Sequence, residues 1–367
     1  MQEDPEYLTT QLITYIGNKR ALLPFIGSAV ERVRARLGGR KIAAFDAFSG
    51  SGAVSRYLKG HASFLAANDL ETYAASINRC YLANRSEIDL DGLTAIHRDL
   101  VRRLTDGPLR EGLIARDYAP EDDGDIKPGE RVFYTKRNAR YLDTARALIG
   151  GLQERERDFF LAPLLAEASV HANTSGVFKG FHKNRRTGIG QFGGSGRDAL
   201  SRITGDITLP FPVLSRHECE TLVLQSDATE AAASLPPVDL AYLDPPYNQH
   251  PYGSNYFMLN LLAEYREPGA VSRVSGIPEN WNRSAYNRRA EAAIRLESLI
   301  EALDAPFVLV SFNSEGFIDR DSMTALLGRH GKVEAFETRY NAFRGSRNLS
   351  DRARHVSEYL FLVERRG

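Results

Sequence analysis

Residues 42–69 read IAAFDAFSGSGAVSRYLKGHASFLAAND, and the reading of this stretch decides the fold. The apolar run at 42–45 has the length of a buried strand and closes on Asp46 and a glycine-rich turn. Residues 54–58 can then begin a helix, and a second apolar run, 62–67, ends at Asn68 and Asp69. Beyond it Tyr73, Ile77, Cys80 and Tyr81 fall on one helical face. Two consecutive strand, loop and helix units imply a parallel sheet covered by helices.

Upstream, Leu22, Leu23, Ile26, Val30, Val33 and Leu37 recur at helical spacing. Downstream, strand-like runs return at 221–224, 238–243 and 307–310, with a last one at 359–363. Between the two groups, 117–130 is acidic and rich in Gly and Pro, the pattern of a surface loop, and 141–165 looks helical. Residues 176–205, rich in Gly, Lys and Arg, are expected to be a mobile surface region. The expected fold is α/β, a doubly wound and mostly parallel sheet assembled from both ends of the chain. Residues 1–100 and 216–367 would form it, with an insertion at 101–215 and a smaller excursion at 265–295.

Lys plus Arg number 47 and Asp plus Glu number 47 in the 367 residues, so a surface for a polyanion has to come from local segregation of charge. Cys80 and Cys219 stand alone, without the neighbours of a disulfide framework or a zinc site, and read as packing residues. The spacing of His171, His182 and His250 does not suit a metal either, so no metal is expected. No signal-peptide pattern or bilayer-length apolar run occurs, and a cytoplasmic protein is the expectation.

Directly after the run VDLAYL comes Asp244-Pro245-Pro246-Tyr247. In an open parallel sheet, ligands bind beyond the carboxyl ends of strands, which is where this tetrapeptide falls. Its chemistry suits the exocyclic amine of adenine, a weak nucleophile whose lone pair is delocalised. Asp244 and the Pro245 carbonyl can accept the two N–H hydrogens and favour the positive charge developing on that nitrogen. The prolines remove N–H donors and stiffen the loop, while Tyr247 can stack on a base rotated out of a duplex. The alternative is a strand followed by a rigid loop with a buried tyrosine.

DAFSGSG, 46–52, offers backbone N–H groups to a ligand, and it matches neither a dinucleotide fingerprint nor a phosphate-binding P-loop. Asp69 could accept from a ribose diol and Asp227, in QSDA, from a cofactor's adenine amino group; either could equally be a helix cap or a turn residue.

Taken in order, these motifs resemble the D12 class of DNA adenine N6-methyltransferases. YIGNKR, 15–20, is similar to the class's cofactor-covering motif, with Tyr15 near a position often held by tryptophan and Lys19 in the lysine position. The resemblance implies S-adenosylmethionine as cofactor, bound by Tyr15, Lys19, Asp46, Phe48, Ser49, Gly50, Gly52, Asp69 and Asp227. It implies a catalytic loop of Asp244, Pro245, Pro246 and Tyr247, here with the aromatic continuation NQHPYGSNYF, in which Tyr256 and Phe257 could support the pocket wall. The partner implied is double-stranded DNA, with a cognate restriction endonuclease as a further possibility in a bacterial or archaeal cell. Departures are FSGSG in place of the FxGGG-like glycine motif and the absence of a legible recognition sequence.

Charge segregation agrees. Residues 171–202 hold six Lys or Arg against one acidic residue, accompanied by Phe178 and Phe181, and 339–354 hold five arginines against one aspartate. Asn173, Lys179, Lys183, Arg185, Arg186, Gln191, Arg197, Arg344 and Arg347 are therefore the candidate DNA contacts, and Lys136 and Arg137 resemble the start of such a region. Ordinary solvated surface is the alternative. Two other function classes stay open: an amino-methyltransferase acting on RNA, cytosine N4 or a protein amide, which DPPY disfavours relative to SPPY or NPPY, and an inactive DNA-binding subunit.

Overall fold

A computed structural model describes residues 3–194, 196, 199–341 and 355–366. Its centre is a seven-stranded sheet. The strands are β1 (Ile42–Asp46), β2 (Ala62–Asn68), β3 (Glu220–Leu224), β4 (Leu240–Leu243), β5 (Phe307–Asn313), β6 (Gly331–Asn341) and β7 (His355–Arg365). They lie in the order β3-β2-β1-β4-β5-β7-β6. The first five are parallel; β7 runs antiparallel to β5, and β6 to β7.

Period-two alternation decides which helices cover which face. Ala44, Leu240, Tyr242, Leu309, Leu360 and Leu362 point one way, onto Ile26, Val30 and Val33 of the Leu23–Arg36 helix and Val54 and Leu58 of the Ala53–Lys59 helix. Phe45, Ala241, Leu243, Val308, Val310, Phe361 and Val363 point the other way, onto the helices Ala228–Ser234, Arg289–Ala302 and Arg320–Gly328. The doubly wound, mostly parallel sheet expected from the sequence is present.

Between β2 and β3 lies the helical part of the long connection. The stretch 141–165, expected to be helical, lies in two helices, Lys136–Gly150 and Glu154–Val170, and the Thr135 hydroxyl caps the first by accepting from Asn138 N. The expected boundary at residue 100 falls inside the helix Leu90–Asp106. These helices share one apolar core with the helices Thr72–Tyr81 and Phe257–Glu264, through Ile77, Leu142, Phe160, Leu164 and Leu262. Connection and sheet domain are thus packed as one body. Cys80 and Cys219 are buried free thiols, the packing residues expected. Among the described residues no helix is long and apolar enough to cross a membrane.

Strand β6 was not legible in the sequence. Between Lys332 and Arg339 its side chains are half-buried or exposed, so Val333 and Phe336 are set among charged neighbours without an apolar run.

The chain winds from β1 outward through β2 to β3 on one side, and β4 and β5 lie on the other. Between β1 and β4 the winding direction reverses, which opens a crevice at the strands' carboxyl ends. Asn68 holds that edge together. Its side-chain N–H groups donate to the carbonyls of Ala47 (3.2 Å) and Ser226 (3.1 Å), and its oxygen accepts from Ser226 N (3.1 Å). Asn68→Ala leaves buried backbone groups without partners and is expected to lower stability by about 2–4 kcal/mol in urea unfolding. A loss below about 0.5 kcal/mol would show that the edge does not need this residue.

Candidate active site

Asp46 ends β1 and pairs in register with Tyr242 of β4, so Asp46 and the Asp244 loop flank the reversal point. Asp46 is fully buried. Its Oδ2 accepts from Ser55 Oγ (2.6 Å), while Oδ1 has no hydrogen-bond partner among the described residues. Burial pushes this carboxyl up to about 7, with Asp244 adding to the rise and the Ser55 bond opposing it.

The turn after Asp46 requires glycine twice. Gly50 has φ +50°, and a Cβ there would stand 2.9 Å from the Tyr15 ring; Gly52 has φ +74°, and its Cβ would stand 2.9 Å from Asn78 Oδ1. Gly50 N donates to Asp69 Oδ2 (2.8 Å), which joins the loop after β1 to the turn after β2. Asn78 donates to Ser49 Oγ (2.9 Å), and Phe48 meets Tyr286 edge-on with ring centroids 5.2 Å apart. Asp227 is exposed and caps the Ala228–Ser234 helix by accepting from Thr229 N (2.9 Å).

Lys19 is 4% exposed, and its ammonium lies 3.2 Å from Asp244 Oδ1 and 3.4 Å from Glu358 Oε2. Burial alone would depress its pKa, but the two carboxylates outweigh that and hold it protonated. Lys19, expected on the cofactor side, lines the same cleft as Gly50 and is in addition paired with the catalytic-loop aspartate. Burial raises the Asp244 carboxyl to about 6; Lys19 opposes the shift and Glu358 adds to it. The buried Tyr247 ring packs on Phe312, with centroids 5.6 Å apart, and lies 5.7 Å from the Lys19 ammonium.

The aromatic continuation of the loop grips the amino-terminal segment. Tyr15 stacks on both Tyr252 (4.9 Å) and Tyr256 (4.8 Å), whose own ring centroids are 6.0 Å apart. Ile16 N donates to Tyr256 Oη (2.7 Å), and Tyr252 Oη donates to the Ile16 carbonyl (3.1 Å). Phe257 turns instead into the helical core.

A family model described as D12 class N6 adenine-specific DNA methyltransferase matches residues 15–186 and 213–324. The chain belongs to this class. It is 29% identical to the Type II methyltransferase M.NlaIII of Neisseria lactamica over 96% of this chain and 99% of that protein. It is equally 29% identical to the Type II methyltransferase M.CviAII of Paramecium bursaria Chlorella virus 1, over 96% and 98% respectively. Modification methylase LlaI of Lactococcus lactis subsp. lactis is 26% identical over 90% of this chain and 51% of its own length. Class membership makes the chain an adenine-specific DNA methyltransferase and removes the acceptors other than DNA adenine.

In this D12-class chain the region expected to be mobile contains an antiparallel hairpin. Lys183 bridges to Gly190, Asn184 N donates to Ile189 O (2.8 Å) and Gln191 N to His182 O (3.0 Å). Arg185 and Arg186 are exposed at its tip, and Lys179 and Lys183 are exposed before it, with the Lys183 ammonium 4.9 Å from the Phe181 ring centroid. Asn173 is corrected. It is fully buried, with its amide donating to Val132 O (2.7 Å) and Gln191 O (2.8 Å) and accepting from Gly193 N (3.0 Å), so it pins the hairpin base and cannot reach DNA. The Gln191 side chain turns back to Gly193 O (3.1 Å). Phe178 is buried against Phe133 and Phe257 rather than available to replace a base, and Phe181 packs on Phe133. Lys136 is bound to Glu111 and Glu121, and Arg137 to Asp206. Arg197, Arg344 and Arg347 lie outside the described residues.

Sequence reasoning missed Tyr242, Tyr252, Tyr286 and Glu358. Tyr252 carried a signal in the run of aromatics after DPPY; Glu358 carried none. Asn173→Ala is expected to raise amide exchange across 183–190 at least tenfold while the sheet amides keep their protection. Unchanged exchange there would remove Asn173 as the pin.

Proposed function

We propose that the chain methylates one adenine within a short specific word of double-stranded DNA, using S-adenosylmethionine, as the modification partner of a cognate restriction endonuclease in the cytoplasm. The observation that carries the reading is the half-buried Asp244 carboxylate, held by Lys19 beside the glycine cradle at the sheet's reversal point.

The residues present fit the cofactor. Asp46 Oδ1 is buried without a hydrogen-bond partner among the described residues, beside a turn whose two positive-φ glycines leave backbone open to a ligand, and a cationic group bearing an ammonium would satisfy it. Asp46, Phe48, Ser49, Gly50 and Gly52 would hold the methionine side, Asp69 the ribose, and Phe48 with Tyr286 the adenine ring. Asp227 stands near Tyr286 and would take part there only by giving up its capping bond. Tyr15, stacked on Tyr252 and Tyr256, would close the site. When bound, S-adenosylmethionine supplies a methyl group on a sulfonium that leaves as a neutral thioether.

The chain's own part is orientation and charge. Asp244 and the Pro245 carbonyl accept the N6 hydrogens of an extrahelical adenine, Pro246 keeps the loop stiff and Tyr247 stacks on the base. Only the ionised Asp244 brings a full negative charge to the positive charge developing on N6, so the rate rises with pH through about 6 and falls as the proton returns. Arg185 and Arg186 at the hairpin tip, with Lys179 and Lys183, supply phosphate and base contacts. Residues 101–215 serve as the recognition region. Two or three bidentate contacts from it would select a word of about four to seven base pairs.

Incubation of unmethylated mixed-sequence DNA with S-adenosylmethionine, read by single-molecule sequencing, should yield N6-methyladenine in one shared word. Asp244→Ala should lower single-turnover transfer at saturating DNA and cofactor by about a hundredfold or more. Scattered modification with no shared flanking bases, or near wild-type turnover in the variant, would overturn the word or the role of Asp244 respectively. Replacing Arg185 and Arg186 by Ala should weaken duplex binding and reduce the salt slope by roughly two. An unchanged slope moves the DNA surface elsewhere.

A further inference from the structure

We infer that Glu358, on the antiparallel strand β7, is a positioning residue for methyl transfer, holding the Lys19 ammonium between itself and Asp244 so that the catalytic carboxylate keeps an oxygen for the target amine. The inference rests on the proposed role of Asp244 and adds a residue to which neither the sequence motifs nor the class match points; the match ends at residue 324.

Geometry places Glu358 where its charge is costly. It continues the row of Leu360 and Leu362 that packs under the Leu23–Arg36 helix, and it lies opposite Asn313 of β5. Its side chain is 7% exposed, and a buried carboxylate in an apolar row is a poor stabiliser compared with a leucine. What it has instead is Lys19 Nζ at 3.4 Å, an ammonium that also lies 3.2 Å from Asp244. Of the three side chains Asp244, at 16%, is the most exposed, and it lines the cleft together with Lys19, whereas Glu358 does not.

One cation shared by two anions sits differently from one cation paired with a single anion. With Glu358 neutral, Lys19 has only Asp244 to close on, and it competes with the amine hydrogens for the same oxygens. With Glu358 charged, the ammonium is drawn back and Asp244 is held ionised but not saturated. The other charged or titratable groups facing this cluster are Asp46 from the end of β1, Asp69 from the turn after β2, Tyr242 on β4, Tyr247 and Tyr252 in the catalytic loop and Glu315 after β5. Each stays in place when Glu358 is replaced, so a shift on replacement reports Glu358 itself.

The test is Glu358→Gln in the full chain, with Glu358→Met as the second variant should Gln fail to fold. Selective 13C labelling of aspartate Cγ follows the Asp244 carboxyl in cofactor-free protein, its resonance identified by its loss in Asp244→Asn. Removing the neighbouring negative charge should move the Asp244 midpoint down by about one pH unit, and Lys19→Met should move it up. Single-turnover methyl transfer should fall roughly tenfold or more, its acid limb displaced to lower pH, with cofactor and DNA affinities within about twofold of wild type. An Asp244 midpoint and acid limb that stay where they are in the variant, whatever happens to its melting temperature, would reduce Glu358 to a packing residue and overturn the inference. Should the wild-type chain methylate no adenine, the proposed function fails while the carbon titration still reads the link between Glu358, Lys19 and Asp244.

Discussion

A lysine ammonium almost out of contact with water needs compensation, and Lys19 finds it in the carboxylates of Asp244 and Glu358. Removing one partner from such a group costs about 3–5 kcal/mol, because the charge left behind stays buried. The three residues come from the segment before the first long helix, the loop after β4 and the last strand, so the interaction fixes three distant pieces of chain against one another. It also sets the chemistry of the cleft. Burial would leave Asp244 protonated over much of the working range, and the adjacent ammonium opposes that.

The remaining parts are arranged around that cluster by short-range contacts. Tyr252 and Tyr256 hold both the ring of Tyr15 and the peptide groups of Ile16, which carries the amino-terminal segment over the glycine turn. The same loop extension reaches the segment before the exposed hairpin, since Phe178 N donates to the Asn255 carbonyl (2.7 Å), and Ser275 Oγ of the later excursion donates to the Lys179 carbonyl (2.7 Å). The segment leading into the exposed hairpin is thus joined by a backbone hydrogen bond to the segment that follows DPPY.

What could be read in the sequence was what short-range pattern encodes. The parallel strands are apolar runs ending at Asp46, Asp69 and Asp244, the glycines at 50 and 52 have positive φ, and the strand before DPPY ends at the sheet's reversal point. What could not be read depends on partners far along the chain. Asn173 looked like a polar contact for DNA because nothing local says that the carbonyls of Val132 and Gln191 will close on it. Glu358 reaches Lys19 across 339 positions, and Tyr286 meets Phe48 only after the 265–295 excursion folds back. Strand β6, with its charged and half-exposed side chains, carries too weak an alternation to stand out.

A crystal structure of the chain with its target duplex and a non-transferring cofactor analogue tests the role of the Lys19 cluster most directly. The expected result is an extrahelical adenine with N6 within hydrogen-bond distance of both the Asp244 carboxylate and the Pro245 carbonyl, and Lys19 still between Asp244 and Glu358. An adenine amino group held by other side chains, or a Lys19 turned away from Asp244, would contradict it.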